Sequence, residues 1–223
     1  MSIPIAFKQR KTYSEINQLL ETNELDFAFI CTGAYQKIKT NSNVEMLCIP
    51  IINNCPYYYA YVIVNNRSNS LILEDLRNKT FAYTDPLSNT GYEYINYLLK
   101  AKGEESKSFF KNTIFTYGHD ISILAVSSDQ ADGASINSLI FDYYTRFDSS
   151  KIKNVRIINK SQKFGMPPFV VKSSLNENTK NKLRNVLLKM DSDSVGKRIL
   201  KALMIDRFEY PDLKIYEKSK IYN

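Results

Sequence analysis

The stretch FAYTDPLSNTGY, residues 81–92, predicts a short β-strand, then a tight turn, then the start of a helix. A helix start offers backbone N–H groups that have no intrahelical acceptor, together with a partial positive charge. Ser88 and Thr90 would add hydroxyl donors, and Gly91 would let a ligand approach the backbone. The segment, with Asn89 inside it, is therefore a candidate anion site. The alternative is that Ser88 or Thr90 only caps the helix.

Apolar, β-rich runs alternate with amphipathic helical stretches along most of the chain, which is typical of βα units. We predict strands at 3–8, 26–31, 45–50, 57–64, 80–84, 113–117, 131–135, 155–158 and 168–172. We predict helices at 12–22, 33–39, 73–77, 90–102, 119–127, 137–145, 176–190 and 192–203, the first of them capped by Thr12. The pattern predicts an α/β fold with mixed, mostly parallel sheets flanked by helices.

Two extended segments indicate a body of two lobes. The predicted strand 57–64 has no helix immediately after it, and Pro167-Pro168 opens a second extended segment. If the chain crosses between lobes there, residues 1–62 plus 168–223 form lobe I and residues 63–167 form lobe II. Such a layout predicts a ligand cleft between the lobes, with closure about a hinge.

Length and composition describe a globular chain, because 223 residues with 43% hydrophobic content can bury a full core. The apolar runs are too short to span a bilayer, and the N-terminus lacks the apolar segment of a signal peptide. The formal charge of +7 keeps a basic nucleic-acid-binding module as an alternative function. Lysines and arginines are scattered among acidic residues, however, so we expect a solvated surface and no nucleic-acid partner.

The three cysteines form no CxxC motif and no cluster with histidine. Since Cys31 and Cys48 lie in apolar runs, we expect inert, buried free thiols. We expect neither a metal site nor a cofactor.

His119, the only histidine, stands in the sequence YGHD directly after a predicted strand and at the start of a predicted helix. Open α/β sheets bind ligands at the carboxyl ends of their strands. His119 would donate a hydrogen bond to an oxyanion there, and Asp120 would either orient the imidazole or cap the helix. A lone histidine with a purely structural role is the alternative.

Two further segments supply candidates. The sequence DFAFICTGAY, residues 26–35, predicts a second strand and helix start, with Thr32 and Tyr35 as ligand contacts. Packing of Tyr35 on the sheet is the slightly favoured alternative. In YYYAY, residues 57–61, packing explains most of the rings, while one, Tyr59, would cover a ligand.

Enzymatic motifs are missing from the sequence: it has no nucleophile elbow, no P-loop, no GxGxxG and no carboxylate pair in a motif context. We therefore expect that the protein is not an enzyme.

Taken together, these segments resemble the phosphonate/phosphite/phosphate-binding family of periplasmic solute receptors of ABC transporters, which has the type II periplasmic-binding fold. The most specific signal is Asp-Pro-x-Ser-x-x-Gly at 85–91 combined with Gly-His-Asp at 118–120. Weaker likenesses lie at 9–13, 26–35, 73–76, 131–134 and 205–208.

The resemblance implies that a small oxyanion is captured in the periplasm and delivered to a membrane permease. We expect the protein to be a monomer. The resemblance also implies Ser88, Thr90, Gly91, His119 and Tyr35 as ligand contacts. A ligand-sensing domain of a membrane signalling receptor, with the same fold, is the alternative.

The chain departs from the family pattern in three respects. It begins at what resembles the second strand of the first lobe, without a signal peptide. Asn137 occupies a position where relatives often carry an acidic residue facing the cleft. A neutral amide would not pair with an amine, which disfavours 2-aminoethylphosphonate as the ligand.

Overall fold

The structure is a computed structural model that describes residues 5–40 and 44–218. It contains two compact units. Of the described residues, the first unit comprises 5–40, 44–57 and 165–217, and the second comprises 58–164 together with residue 218. The chain thus passes between the units at 57/58 and 164/165, where the sequence placed the crossings at 62/63 and 167/168.

The elements are numbered along the chain. The helices are α1 (Tyr13–Glu21), α2 (Thr32–Ile38), α3 (Tyr94–Lys100), α4 (Ser106–Phe109), α5 (His119–Ser127), α6 (Ser138–Phe147), α7 (Glu177–Leu188), α8 (Ser194–Ala202) and α9 (Leu213–Lys218). A π-helix (Asn89–Glu93) leads into α3, and 3-10 helices span Leu73–Leu76, Ser149–Lys151 and Met190–Ser192. The strands are β1 (Phe27–Phe29), β2 (Val44–Ile51), β3 (Tyr57–Tyr58), β4 (Ala60–Asn65), β5 (Thr80–Tyr83), β6 (Asn112–Phe115), β7 (Gly133–Asn137), β8 (Val155–Lys160), β9 (Phe164–Gly165), β10 (Phe169–Lys172) and β11 (Arg207–Glu209).

The first unit is built on a four-stranded sheet with the order β1-β10-β2-β11. Strand β10 runs antiparallel to both of its neighbours, pairing Ala28 with Val170 on one side and Met46 with Val170 on the other. Its side chains are fully buried at Val170 and Val171, as are Leu47 and Cys48 of β2. The middle of this sheet is therefore the core of the unit.

The second unit is built on a five-stranded sheet with the order β6-β5-β7-β4-β8. Strand β5 is parallel to β6 and β7, while β4 is antiparallel to β7 and β8. Helix α5 packs Ile123 and Val126 against Ile63, Ala82 and Ala134 of the sheet. Because β5, β6 and β7 are parallel, they end at the same edge of the sheet, and the segments that follow them meet there.

The mixed α/β class is confirmed, but the sheets are less parallel than expected. Of the strand pairs described above, five are antiparallel and two are parallel. The reason is that β4 and β10, which follow the two crossings, each insert between strands that run the other way. A βα pattern predicts direction only for strands joined by a local helix.

Most predicted elements are present within a few residues of their expected ends. Thr12 caps α1 in a reciprocal arrangement with Glu15, as expected. The predicted strand 3–8 is wrong for residues 5–8, which are irregular, and its first residues lie outside the described part. The predicted strand 57–64 is interrupted at Tyr59. No helix within residues 5–40 and 44–218 is long and apolar enough to cross a bilayer.

The cysteines carry free thiols, and they differ in exposure. Cys48 is fully buried, and this burial raises the pKa of its thiol to about 12. Cys31 is half-buried, whereas Cys55 is exposed, so the expectation of burial fails for Cys55.

Candidate functional site

The helix start predicted at 88–91 is present and almost wholly buried. Ser88 is the N-cap, and its Oγ accepts a hydrogen bond from the backbone N–H of Gly91 at 3.0 Å. Ser88 therefore caps the helix, and its part in binding a ligand stays a prediction. The hydroxyl still has its own proton to donate, and the N–H groups of Asn89 and Thr90 occupy the first positions of the helix, which lack intrahelical acceptors.

Thr90 has a buried side chain whose polar atom is unsatisfied. Its Oγ1 has no hydrogen-bond partner in the described residues, although the side chain is fully buried. Its backbone carbonyl accepts a bond from Ser135 Oγ at 2.5 Å, which fixes the backbone at this point. A buried polar group without a partner costs roughly 1–3 kcal/mol. The Thr90 hydroxyl is therefore a buried group whose hydrogen bonds the described residues leave unmade.

Gly91 is required by packing. A Cβ at this position would lie 2.4 Å from Thr84 Oγ1 and 2.9 Å from Ser88 Oγ, too close for any side chain. The backbone N–H of Thr84 also donates to the Gly91 carbonyl at 3.2 Å. The absence of a side chain thus lets the helix start lie directly on Thr84, and the expectation that Gly91 also admits a ligand stays a prediction.

His119 is the first residue of α5 and is held by its Nδ1 atom. The backbone N–H of Asn137 donates to Nδ1 at 3.1 Å, and Thr84 Oγ1 lies 3.1 Å from the same atom. An imidazole nitrogen that accepts from a backbone N–H carries no proton, so the neutral ring has its proton on Nε2. Burial lowers the pKa of His119 to about 4, and the Asp120 carboxylate opposes this shift. At neutral pH, His119 is an uncharged hydrogen-bond donor.

Asp120 is exposed in the first turn of α5. A carboxylate at this end of a helix interacts favourably with the helix dipole. Gly118 is the N-cap of α5, so Asp120 is not the cap residue. Asp120 acts on His119 through its negative charge, which opposes the lowering of the pKa of the imidazole.

Asn137 and Tyr59 lie beside this edge of the sheet. Asn137 ends β7 and caps α6, with Oδ1 accepting from Leu139 N–H at 2.8 Å. Tyr59 is half-buried; its backbone N–H donates to Ser138 Oγ at 3.0 Å, and Lys160 Nζ lies 3.8 Å from its ring centroid. Asn137 contacts His119 through its backbone N–H, and no pattern of side chains in the sequence predicts such a contact.

Thr32 and Tyr35 belong to the first unit. The Thr32 hydroxyl is buried and donates to the Gly165 carbonyl at 2.8 Å. Tyr35 is buried edge-to-face against Tyr216, with ring centroids 6.2 Å apart. These contacts agree with the packing alternative for Tyr35, and any part for either residue in binding a ligand stays a prediction.

Within the second unit, the structure brings together the ends of β5, β6 and β7: Ser88–Gly91, His119 and Asn137. Thr84 connects them, since it contacts both Gly91 and His119. The sequence interpretation missed Thr84 as a site residue, and its place directly after β5 was the available signal. In the described part of the chain, no group of three His, Cys, Asp or Glu residues could hold a metal ion.

Comparisons with known proteins point to one family. A family described as "ABC transporter, phosphonate, periplasmic substrate-binding protein" matches residues 1–216. The phosphonates-binding periplasmic protein of Escherichia coli (strain K12) is 29% identical over 196 residues, which cover 86% of this chain and 58% of that protein. The chain therefore spans less than two thirds of this relative's length.

Solved structures share the fold. A binding protein component of an ABC phosphonate transporter from Pseudomonas aeruginosa superposes with a TM-score of 0.86 at 24% identity, covering 94% of this chain and 71% of that one. A protein from Prochlorococcus marinus, solved with methylphosphonate, gives 0.83 at 19% identity, with coverages of 98% and 83%. With the family match extending from the first residue to residue 216, these findings confirm the resemblance seen in the sequence: the chain belongs to the phosphonate-binding family of periplasmic substrate-binding proteins.

Proposed function

We propose that this chain is the substrate-binding component of an ABC transporter and that it binds a phosphonate or a closely related oxyanion such as phosphite or phosphate. Membership in a family of substrate-binding proteins confirms the expectation that the chain is not an enzyme. The proposal places the protein in the periplasm, where it would hand its ligand to a membrane permease.

The observation that carries the proposal is the buried hydroxyl of Thr90, which has no hydrogen-bond partner among residues 5–40 and 44–218 and lies next to a set of fixed donors. The N–H groups of Asn89 and Thr90 stand at the first positions of the helix, where the helix itself supplies no acceptor, and His119 has a proton on Nε2. Each of these groups can donate to an oxygen. A tetrahedral oxyanion offers several acceptor oxygens at once, so it would satisfy this set better than a neutral ligand.

The energetics favour such a ligand. Hydrogen bonds to a charged partner contribute roughly 1.5–3 kcal/mol each. Three or four of them offset a large part of the cost of removing an oxyanion from water. Because the donors are already held by Ser88, Thr84 and Asn137, little further ordering is needed on binding.

The test is isothermal titration calorimetry with methylphosphonate, phosphite, phosphate, 2-aminoethylphosphonate and sulfate. Thr90→Val should weaken binding of the best ligand by about tenfold, which corresponds to ~1.4 kcal/mol. Thr90→Ser, which keeps the hydroxyl, is the matched control and should retain most of the affinity. His119→Ala should weaken binding by at least as much as Thr90→Val.

Stability separates a binding role for Thr90 from a structural one. Because its hydroxyl has no partner in the described residues, Thr90→Val should leave the free energy of unfolding of the ligand-free protein unchanged or slightly higher. A variant that loses stability but binds normally would contradict the proposal, as would a protein to which none of the five anions binds.

Several parts of the sequence interpretation remain predictions under this proposal. They are the interlobe cleft, the contribution of Thr32, Tyr35 and Tyr59 to it, and the monomeric state. The last is checked directly by light scattering at micromolar concentration.

A further inference from the structure

Three hydroxyl groups form a chain beside His119. Thr116 Oγ1 lies 2.7 Å from Ser122 Oγ, Ser122 Oγ lies 3.4 Å from Thr84 Oγ1, and Thr84 Oγ1 lies 3.1 Å from His119 Nδ1. Thr84 and Ser122 are fully buried. Each side chain comes from a different segment: Thr84 follows β5, Thr116 follows β6, and Ser122 lies in α5.

The protons of this chain can be assigned in order. The Thr116 hydroxyl donates to the Gly118 carbonyl at 2.9 Å, so the Ser122 hydroxyl donates to Thr116. Thr84 then has two possible acceptors, and His119 Nδ1 is nearer than Ser122 Oγ. If Thr84 donated to Ser122 instead, its lone pair would face the lone pair of Nδ1. The arrangement in which Thr84 donates to Nδ1 avoids that repulsion.

We propose that Thr84 is a positioning residue that, together with the backbone N–H of Asn137, fixes His119 in the neutral form with its proton on Nε2. Two donors point at one nitrogen, one from Thr84 directly after β5 and one from Asn137 at the end of β7. A proton on Nδ1 would face both of them. The ring therefore turns its only N–H away from the hydroxyl chain.

Thr84 also couples the two parts of the site. The same residue that donates to the imidazole touches the helix start, where its backbone N–H binds the Gly91 carbonyl at 3.2 Å. A substitution at Thr84 should therefore alter both the position of the His119 ring and the position of the donors of residues 89–91. The fixed tautomer follows from the geometry alone, whereas its effect on ligand affinity rests on the proposed function.

Because His119 is the only histidine, a two-bond ¹H–¹⁵N correlation spectrum of the ¹⁵N-labelled full chain shows a single imidazole. At pH 7 the ligand-free wild type should show an unprotonated Nδ1 and a protonated Nε2. Thr84→Val, which keeps the shape and removes the hydroxyl, should move the Nδ1 resonance toward that of a protonated nitrogen. Thr84→Ser should restore the wild-type pattern.

Ser135→Ala is the matched control. It removes another buried hydroxyl of the same unit, one that binds the Thr90 carbonyl and not the imidazole, so its His119 spectrum should match the wild type. If Thr84→Val does not fold, Thr84→Ala carries the same test because it also lacks the hydroxyl. The proposal is overturned if the wild type carries its proton on Nδ1, or if both hydroxyl-free variants leave the Nδ1 resonance unchanged.

Calorimetry with methylphosphonate then tests the effect on binding. Thr84→Val should weaken binding by about fivefold, and Thr84→Ser should recover most of that loss. If the wild type binds none of the anions, the proposed function fails while the tautomer result stands. If the wild type binds an anion and Thr84→Val shifts the tautomer without changing the affinity, the inferred effect of Thr84 on ligand binding is wrong. The tautomer assignment and the proposed function then both stand.

Discussion

Acidification from pH 7 to pH 5 should destabilise the folded protein through His119. In the unfolded chain the imidazole has a pKa of about 6.5, whereas in the folded protein desolvation lowers the pKa to about 4. Between these values the unfolded chain binds a proton that the folded protein does not. The free energy of unfolding therefore falls as the pH drops below 6.5, and it stops falling near pH 4.

The size of this effect follows from the two pKa values. Each pH unit between them costs at most ~1.4 kcal/mol, so the drop from pH 7 to pH 5 costs about 2 kcal/mol if the full shift applies. His119 is half-buried, and solvent screening reduces the figure, so we expect about 1–2 kcal/mol. Carboxylates titrate over the same pH range, so their contribution to the pH dependence of the free energy of unfolding must be separated from that of His119.

His119→Gln provides that separation because glutamine carries an amide in a similar position and does not titrate. Urea unfolding followed by far-UV circular dichroism, at pH 7, 6 and 5, gives the free energy of unfolding of both proteins. The difference between wild type and variant should change by about 1–2 kcal/mol over this range, with the wild type losing more. Equal losses in the two proteins would refute the assignment of His119 as a neutral, desolvated donor.

Two further predictions concern packing and thiol reactivity. Gly91→Ala should destabilise the protein by about 1–3 kcal/mol, because its Cβ would overlap Thr84, and thermal unfolding measures the loss. Gly103→Ala is the comparison: no heavy atom lies within 4 Å of its Cβ, so only the strain of a backbone φ of +72° remains and the cost should be about 1 kcal/mol or less. A thiol reagent at pH 8 should modify the exposed Cys55 at once and Cys48 only when the chain unfolds, since burial keeps Cys48 protonated. Fast labelling of Cys48 in the native protein would show that the core around β2 opens.

The sequence was sufficient to predict elements whose signals are local. Thr12 as a cap residue predicts the start of α1, and the YGHD sequence predicts that α5 starts at His119. Residues 81–92 predict the strand and helix start that hold Ser88 and Thr90. In each case the residue that caps the helix lies within a few positions of the point where the spacing of apolar residues becomes that of a helix.

Features that depend on distant partners could not be predicted in this way. The direction of β10 is set by β1 and β2, which lie more than a hundred residues earlier in the chain. The contact of His119 with Asn137 uses a backbone N–H, which every residue but proline has. The close contact that excludes a side chain at Gly91 depends on how the helix start lies on Thr84, and no local pattern in the sequence predicts that contact.

The place of β10 in the first sheet also determines when that sheet can form during synthesis. Strands β1 and β2 leave the ribosome early, but they do not pair with each other; the strand that joins them is made only after all of Tyr58–Phe164. All five strands of the second sheet lie in one stretch, 60–160, so this sheet can form before the middle strand of the first sheet has been made. Nascent chains that end just before Phe169 should therefore protect the second sheet from proteolysis and leave the first open to it.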